Sequence, residues 1–332
     1  MASMNRREAI TSMVAAGIAI PSMFQTPTAP PATGKYLTID GNKVYYEDRG
    51  QGIPIVMSAG GQNRLETLRP LATKLAAKYR VITWDRANIG HSDLVFKGAR
   101  DLDLWSDQQA ELVKQLNIRP AYFVGASSGS RTSYVTALRY PDLVKGLFVY
   151  LVTGGGTMGE NLAKQYYGDY ADLAEKEGMA AVAKMPFWAE RIELNPGNRE
   201  RLLSIDPKEF ARVMRRWVKA MRSNPDPTIG ITADGLREIA SNGTPVAIVQ
   251  GCEGVANHPR DRSELFAKLA NATLYPSPVG YCEEGDNGPV SFNKIMAHPE
   301  VPEAKPFRAY EMVTAVPPLI EDFITKIEAR RL

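Results

Sequence analysis

From Lys35 onward the apolar positions follow two periods. Short apolar runs recur at residues 53–57, 80–84, 121–125, 146–152 and 246–249. Runs of this length predict buried strands. Between them lie stretches of helical period. One covers residues 65–78, another places Trp105, Leu112, Val113 and Leu116 on one face, and a third carries Tyr134, Val135 and Leu138. At the start, residues 36–40 and 43–47 flank Gly41-Asn42, which predicts a hairpin. Strands alternating with helices predict an α/β fold, a mostly parallel sheet with helices on both faces.

After Gly154-Gly155-Gly156 the alternation stops, and residues 157–240 predict helices only. The clearest starts at Asp206-Pro207, with Glu209 completing a capping box and Pro at the first helical position. Phe210, Val213, Met214, Trp217, Val218 and Met221 then form one apolar stripe, which predicts packing onto the domain beneath. Alternation resumes with the run at 246–249, a helix over 260–270, a short strand at 272–275 and a last helix over 318–330. The expected organisation is a core formed by residues 35–156 and 241–332, interrupted by a helical insertion over 157–240. No internal repeat is present.

Residues 1–34 read as an address. Arg6 and Arg7 precede a short apolar run at 10–20 and a Pro- and Thr-rich tail. This resembles a twin-arginine export signal, so a periplasmic or secreted location is expected. An arm that stays attached to a cytoplasmic protein is the alternative. The apolar run is shorter than the roughly 20 residues of a membrane span, and no span is expected elsewhere. Apolar residues make up 44% and charged residues 23% of the 332, which excludes a disordered or collagen-like chain. The net charge is +3 and no basic block stands out, so no nucleic-acid partner is expected. Cys252 and Cys282 are too distant for a CxxC motif, and three histidines are too few for a His-rich metal site. Whether the two cysteines pair in an oxidising compartment stays open.

Gly125-Ala126-Ser127-Ser128-Gly129 is a G-x-S-x-G segment at the end of an apolar strand and the start of a helix. A sharp turn there pushes the serine hydroxyl out of the sheet, and the helix N-terminus favours a forming oxyanion. With this segment in that place, the chain resembles an α/β-hydrolase over about residues 35–275. Asp85 to Asp93, DRANIGHSD, resembles that family's D-x-R-G-x-G-x-S-D loop, with Asn88 or Ala87 replacing its first glycine. The resemblance implies an eight-stranded sheet and makes the insertion a helical cap. It also implies an oxyanion hole from the N–H groups of Gly61 and Ser128, although Ala59 stands where a histidine is usual.

A serine nucleophile needs a base, usually a histidine held by a carboxylate. By the family pattern the acid follows the strand at 246–249, where Glu253 is the nearby carboxylate. Tyr281 stands where the family has its histidine. His91 belongs to the structural loop, and His258, before Pro259, reads as a helix-start residue. His298, in a long loop before the last helix, is therefore the expected base. Arg131 is read as a helix-surface salt bridge, with orienting the loop or meeting a substrate carboxylate as the other options.

The expected function is serine-dependent hydrolysis of a carboxylic ester or lactone, through an acyl-enzyme and without a metal or other cofactor. Trp188, Trp217 and Tyr166 are expected to bind an apolar or aromatic substrate. A carbon–carbon bond hydrolase on the same machinery, or a non-catalytic ligand-binding protein on a hydrolase fold, are the alternatives. The substrate is a small molecule, and the oligomeric state is left open.

Overall fold

The first hairpin pairs β1 (Lys35–Ile39) with β2 (Asn42–Arg49). Its turn falls at Asp40-Gly41, one residue before the expected place. Both residues have positive φ, 50° and 74°, the geometry of a two-residue hairpin turn, which Asp and Gly tolerate. The computed structural model describes residues 34–155, 157–222, 226–252, 258–278 and 307–330, and side chains for all of these except 157 and 307–314.

Six further strands follow: β3 (Pro54–Ser58), β4 (Arg80–Trp84), β5 (Ala121–Ala126), β6 (Val144–Tyr150), β7 (Val246–Val249) and β8 (Thr273–Tyr275). They form an eight-stranded sheet of order β1-β2-β4-β3-β5-β6-β7-β8. β2 pairs antiparallel with β4, and the pairs from β4 to β8 are parallel. The middle strands are covered on both faces, so they read as continuous apolar runs.

Three helices cover the first half: α1 (Arg69–Leu75), α2 (Asp101–Gln115) and α3 (Ser128–Arg139). The insertion then contributes α4 (Thr157–Ala163), α5 (Asp169–Glu177), α6 (Met179–Val182), α7 (Pro186–Leu194), α8 (Gly197–Leu203), α9 (Pro207–Met221) and α10 (Ala233–Ser241). Last come α11 (Arg260–Leu269) and α12 (Phe307–Ala329). α12 starts earlier than expected and contains Pro317 and Pro318. Adjacent prolines read as a helix start because the first turn tolerates a missing N–H.

Apolar side chains gather in three clusters. On one sheet face, Leu112, Val113, Tyr134, Val135 and Phe266 bring α2, α3 and α11 onto the strands. Leu236 and Ile239 of α10 join them, so the last part of the 157–240 stretch packs with the sheet. On the other face, Leu71 and Leu75 of α1 meet Ile320, Phe323 and Ile327 of α12. The third cluster belongs to the insertion and includes the whole stripe of α9, which packs chiefly against Ala163, Tyr167, Ala171 and Ala174 of the insertion itself rather than onto the domain beneath. The cap of α9 is half of the expected box. Asp206 accepts from the N–H groups of Lys208 and Glu209 at 3.0 Å, while Glu209 pairs with Arg212.

Buried polar groups tie the insertion to the loops that leave β3 and β4. The Arg191 guanidinium donates to the carbonyls of Asn88 and Gln62. The Asn198 amide donates to Ser92 O and accepts from Leu94 N–H. These bonds hold α7 and α8 at the sheet edge where β5 ends.

Candidate active site

Ser127 links β5 directly to α3, with φ 49° and ψ −113°. An L-residue in this region is strained and persists only where its surroundings fix it. Its N–H donates to Tyr150 O, and its carbonyl accepts from the Ser130 hydroxyl and the Arg131 N–H. The two flanking glycines are sterically required. A Cβ at Gly125 would lie 2.6 Å from Gly129 O, and one at Gly129 would lie 2.1 Å from Ser58 O. The result is a half-buried hydroxyl standing proud of the sheet.

The imidazole beside it is that of His258. Its Nε2 lies 3.3 Å from Ser127 Oγ. The loop after β7 delivers it: Cys252 N–H donates to His258 O at 3.1 Å and Arg260 N–H to Cys252 O at 3.2 Å. A Cβ on Gly251 would meet His258 O at 2.5 Å, so glycine permits this close return of the chain. The reading of His258 as a helix-start residue is therefore corrected. The residue that caps α11 is Pro259, and the buried imidazole turns to the elbow. His298 and Glu253, expected as base and acid, lie outside the described residues. Thr153 was not anticipated from sequence. Its Oγ1 is 3.2 Å from Ser127 Oγ, and its position just after β6, on the same sheet edge, is the signal that would have found it.

The loop after β3 closes on the other side. A Cβ on Gly60 would meet Ala126 O and Ser127 Cβ at 3.2 Å. Gly61 has φ 54°, and its carbonyl accepts from two donors, Ser128 Oγ at 2.7 Å and Arg86 Nη2 at 2.8 Å. Arg86 also donates to Ser128 Oγ at 3.0 Å and stacks on Trp105. The backbone N–H groups of Gly61 and Ser128 meet no protein acceptor among the described residues. Burial pushes the Arg86 guanidinium down to about 10, so it stays charged at neutral pH.

The DRANIGHSD loop is a scaffold for this edge. Asn88 adopts φ 68°, so it is the residue in the glycine position. Asp85 accepts from the N–H groups of Leu65 and His91, and the His91 ring packs on Tyr45. Glu66, Asp85 and His91 bring possible metal-ligand atoms within 4.8 Å of one another. Arg64 and Arg69 already stand beside Glu66, which makes the cluster a poor cation site.

The expected substrate-binding residues divide. Trp188 and Trp217 are 2% and 1% exposed and belong to the insertion's own cluster. Trp188 packs with Phe96, Tyr170, Phe187 and Phe210, and Trp217 lies edge-on to Tyr167. Tyr166 is half-buried, and burial raises its hydroxyl pKa, an effect opposed by Arg131 and Arg86. A separate cleft of about 480 Å³ beside Leu94, Phe96, Arg201 and Phe210 shares no lining residue with the Ser127 site.

No family model matches the chain. It is similar to a soluble epoxide hydrolase of Corynebacterium sp. (strain C12), 22% identical over 238 residues, covering 72% of this chain and 77% of that protein. It is also similar to a 2-hydroxymuconate semialdehyde hydrolase of Pseudomonas sp. (strain CF600), 28% identical over 212 residues, covering 60% and 74%. Among solved structures, an alpha/beta hydrolase enzyme from a Medee basin deep-sea metagenome library superposes with a TM-score of 0.52. That match is 17% identical and covers 80% of this chain and 96% of the other.

Proposed function

The chain belongs to the α/β-hydrolase superfamily, and we propose that it is a serine hydrolase of carboxylic esters or lactones. The observation that carries this reading is the 3.3 Å approach of His258 Nε2 to the hydroxyl of a strained Ser127. Resting enzymes often hold this bond slightly long. Ser127 Oγ attacks the carbonyl carbon and its proton passes to His258 Nε2. The oxyanion is held by the N–H groups of Gly61 and Ser128, which have no competing protein acceptor among the described residues. Collapse expels the alkoxide, which takes the proton from His258. Water, deprotonated by His258, then releases the acid and restores Ser127. Glu253, on sequence grounds, is the carboxylate that orients the imidazolium. The insertion acts as a cap, supported by the bonds from Arg191 to the Gln62 and Asn88 carbonyls.

The test is turnover of a chromogenic short-chain ester together with labelling by a fluorophosphonate. Ser127→Ala and His258→Ala should each lower kcat by about 10³-fold or more, because nucleophile and base act as one unit. His298→Ala separates the two histidines and should retain most of the activity. Full turnover in His258→Ala with loss in His298→Ala would return the base to His298. Absence of labelling in the wild type would promote the ligand-binding alternative. A carbon–carbon bond hydrolase, the activity class of the Pseudomonas relative, would use the same serine and is tested by offering a vinylogous 1,5-diketone.

A further inference from the structure

We infer that the substrate carries a carboxylate and that Arg131 receives it, an inference that rests on the serine hydrolase reading above. Sequence reasoning favoured a surface salt bridge for Arg131. The side chain is instead 2% exposed and forms no ion pair among the described residues. Among the described residues, the guanidinium makes one hydrogen bond, from Nη1 to Ile229 O at 3.4 Å, and its Nε has no partner. A buried guanidinium is strongly destabilising unless its donors and its charge are matched.

Charge counting around it does not balance. Arg86, another buried guanidinium, has neutral partners among the described residues: Ser128 Oγ, Gly61 O and the Trp105 ring. The nearby carboxylate is Asp101, also 2% exposed, which accepts from the Tyr167 hydroxyl at 2.6 Å and from Leu102 N–H. The charges of Arg131 and Asp101 both reach Arg86, Tyr166 and Tyr167. Among the described residues, two cations therefore share one anion, and one positive charge has no carboxylate beside it.

The location is the reacting edge. Arg131 follows Ser127 by one helical turn, and its N–H donates to Ser127 O at 3.3 Å, which sets both residues on one side of α3. The guanidinium contacts the carbonyl of Ile229. The adjacent Thr228 hydroxyl donates to Thr153 O, and Thr153 Oγ1 touches Ser127 Oγ. Two residues, Ile229 and Thr228, thus connect the Arg131 guanidinium to Thr153, which touches the nucleophile. The charges of Arg131 and Arg86 also reach the hydroxyl of the half-buried Tyr166 on the insertion. A planar carboxylate accepts two parallel bonds from a guanidinium and neutralises it. An ester or lactone with a carboxylate a few bonds from the scissile carbonyl would place its anion there.

The experiment compares kcat/KM for mono-4-nitrophenyl glutarate and the uncharged 4-nitrophenyl pentanoate. The wild type should favour the glutarate by roughly 10- to 100-fold, the range of a buried charge-assisted hydrogen bond. Arg131→Gln and Arg131→Met should bring that ratio to about one, and Arg131→Lys should restore part of it. Should these variants not fold, the wild-type ratio still decides, together with competitive inhibition of pentanoate hydrolysis by free glutarate. A wild type that hydrolyses the pentanoate, does not favour the glutarate ester and is not inhibited by glutarate overturns the inference alone. A wild type that hydrolyses neither ester overturns the serine hydrolase reading and the inference with it.

Discussion

Arg86 makes two hydrogen bonds that converge on the oxyanion loop, one to Gly61 O and one to Ser128 Oγ. It fixes where the Gly61 and Ser128 N–H groups point without approaching the substrate itself. Arg86→Met should lower kcat on a neutral ester by about tenfold or more while changing KM little. The missing bonds orient donors that matter most when the oxyanion forms. Arg86→Lys should not rescue fully, because one ammonium cannot reproduce the guanidinium fork. Steady-state kinetics of both variants would check this, and an unchanged kcat would remove Arg86 from the oxyanion argument. At this scale the glycines and Ser127 were legible, because close approach demands Gly and a strained turn demands a short polar residue. His258 was not. A histidine before Pro259 at a helix start looks the same whether its ring faces water or a serine 131 positions away in sequence.

Among the elements, α9 and α3 allow clean tests. Asp206→Ala removes the acceptor for two N–H groups at the start of α9 and should cost about 1 kcal/mol, read from the urea midpoint. Trp217→Ala opens a large hole in the insertion's cluster and should cost about 3–5 kcal/mol. The same substitution, if Trp217 lined a pocket, would change the preference between large and small esters at unchanged stability. Thermal melts run beside a two-ester assay distinguish these outcomes. Gly129→Ala would force a Cβ to 2.1 Å from Ser58 O, and should yield little folded protein by circular dichroism. The α9 stripe was legible because its burial follows a helical period. The turn at Asp40-Gly41 was displaced by one residue because Gly-Asn and Asp-Gly are both good turn pairs, and pairing with β2 selects between them.

For the whole molecule, the loop that delivers His258 is fastened at Cys252. This cysteine is 6% exposed and disulfide-bonded. The other cysteine of the chain, Cys282, lies outside the described residues. Cys252→Ser, or reduction with a strong thiol, should lower stability by about 2–4 kcal/mol. It should also lower kcat, because the backbone bonds of Cys252 position His258. Paired melts and ester assays with and without reductant would check both effects. Residues 1–33 lie outside the described residues. Among the described residues no helix is long and apolar enough to cross a membrane.

The sequence by itself determined the alternation of strands and helices, the helical interruption after Gly156, and the elbow at Ser127. Each of these is written in local signals: periodicity, turn chemistry and the small residues that a tight turn requires. Tertiary structure decided which histidine meets the serine, which arginine supports the Gly61 carbonyl and which is buried against Ile229 O without an ion pair among the described residues. Those outcomes depend on strand order. β5, β6 and β7 lie side by side in the sheet although α3 and the whole insertion separate them in the chain. Their C-terminal ends therefore bring Ser127, Thr153 and His258 to one place, and no local pattern in the sequence records that neighbourhood.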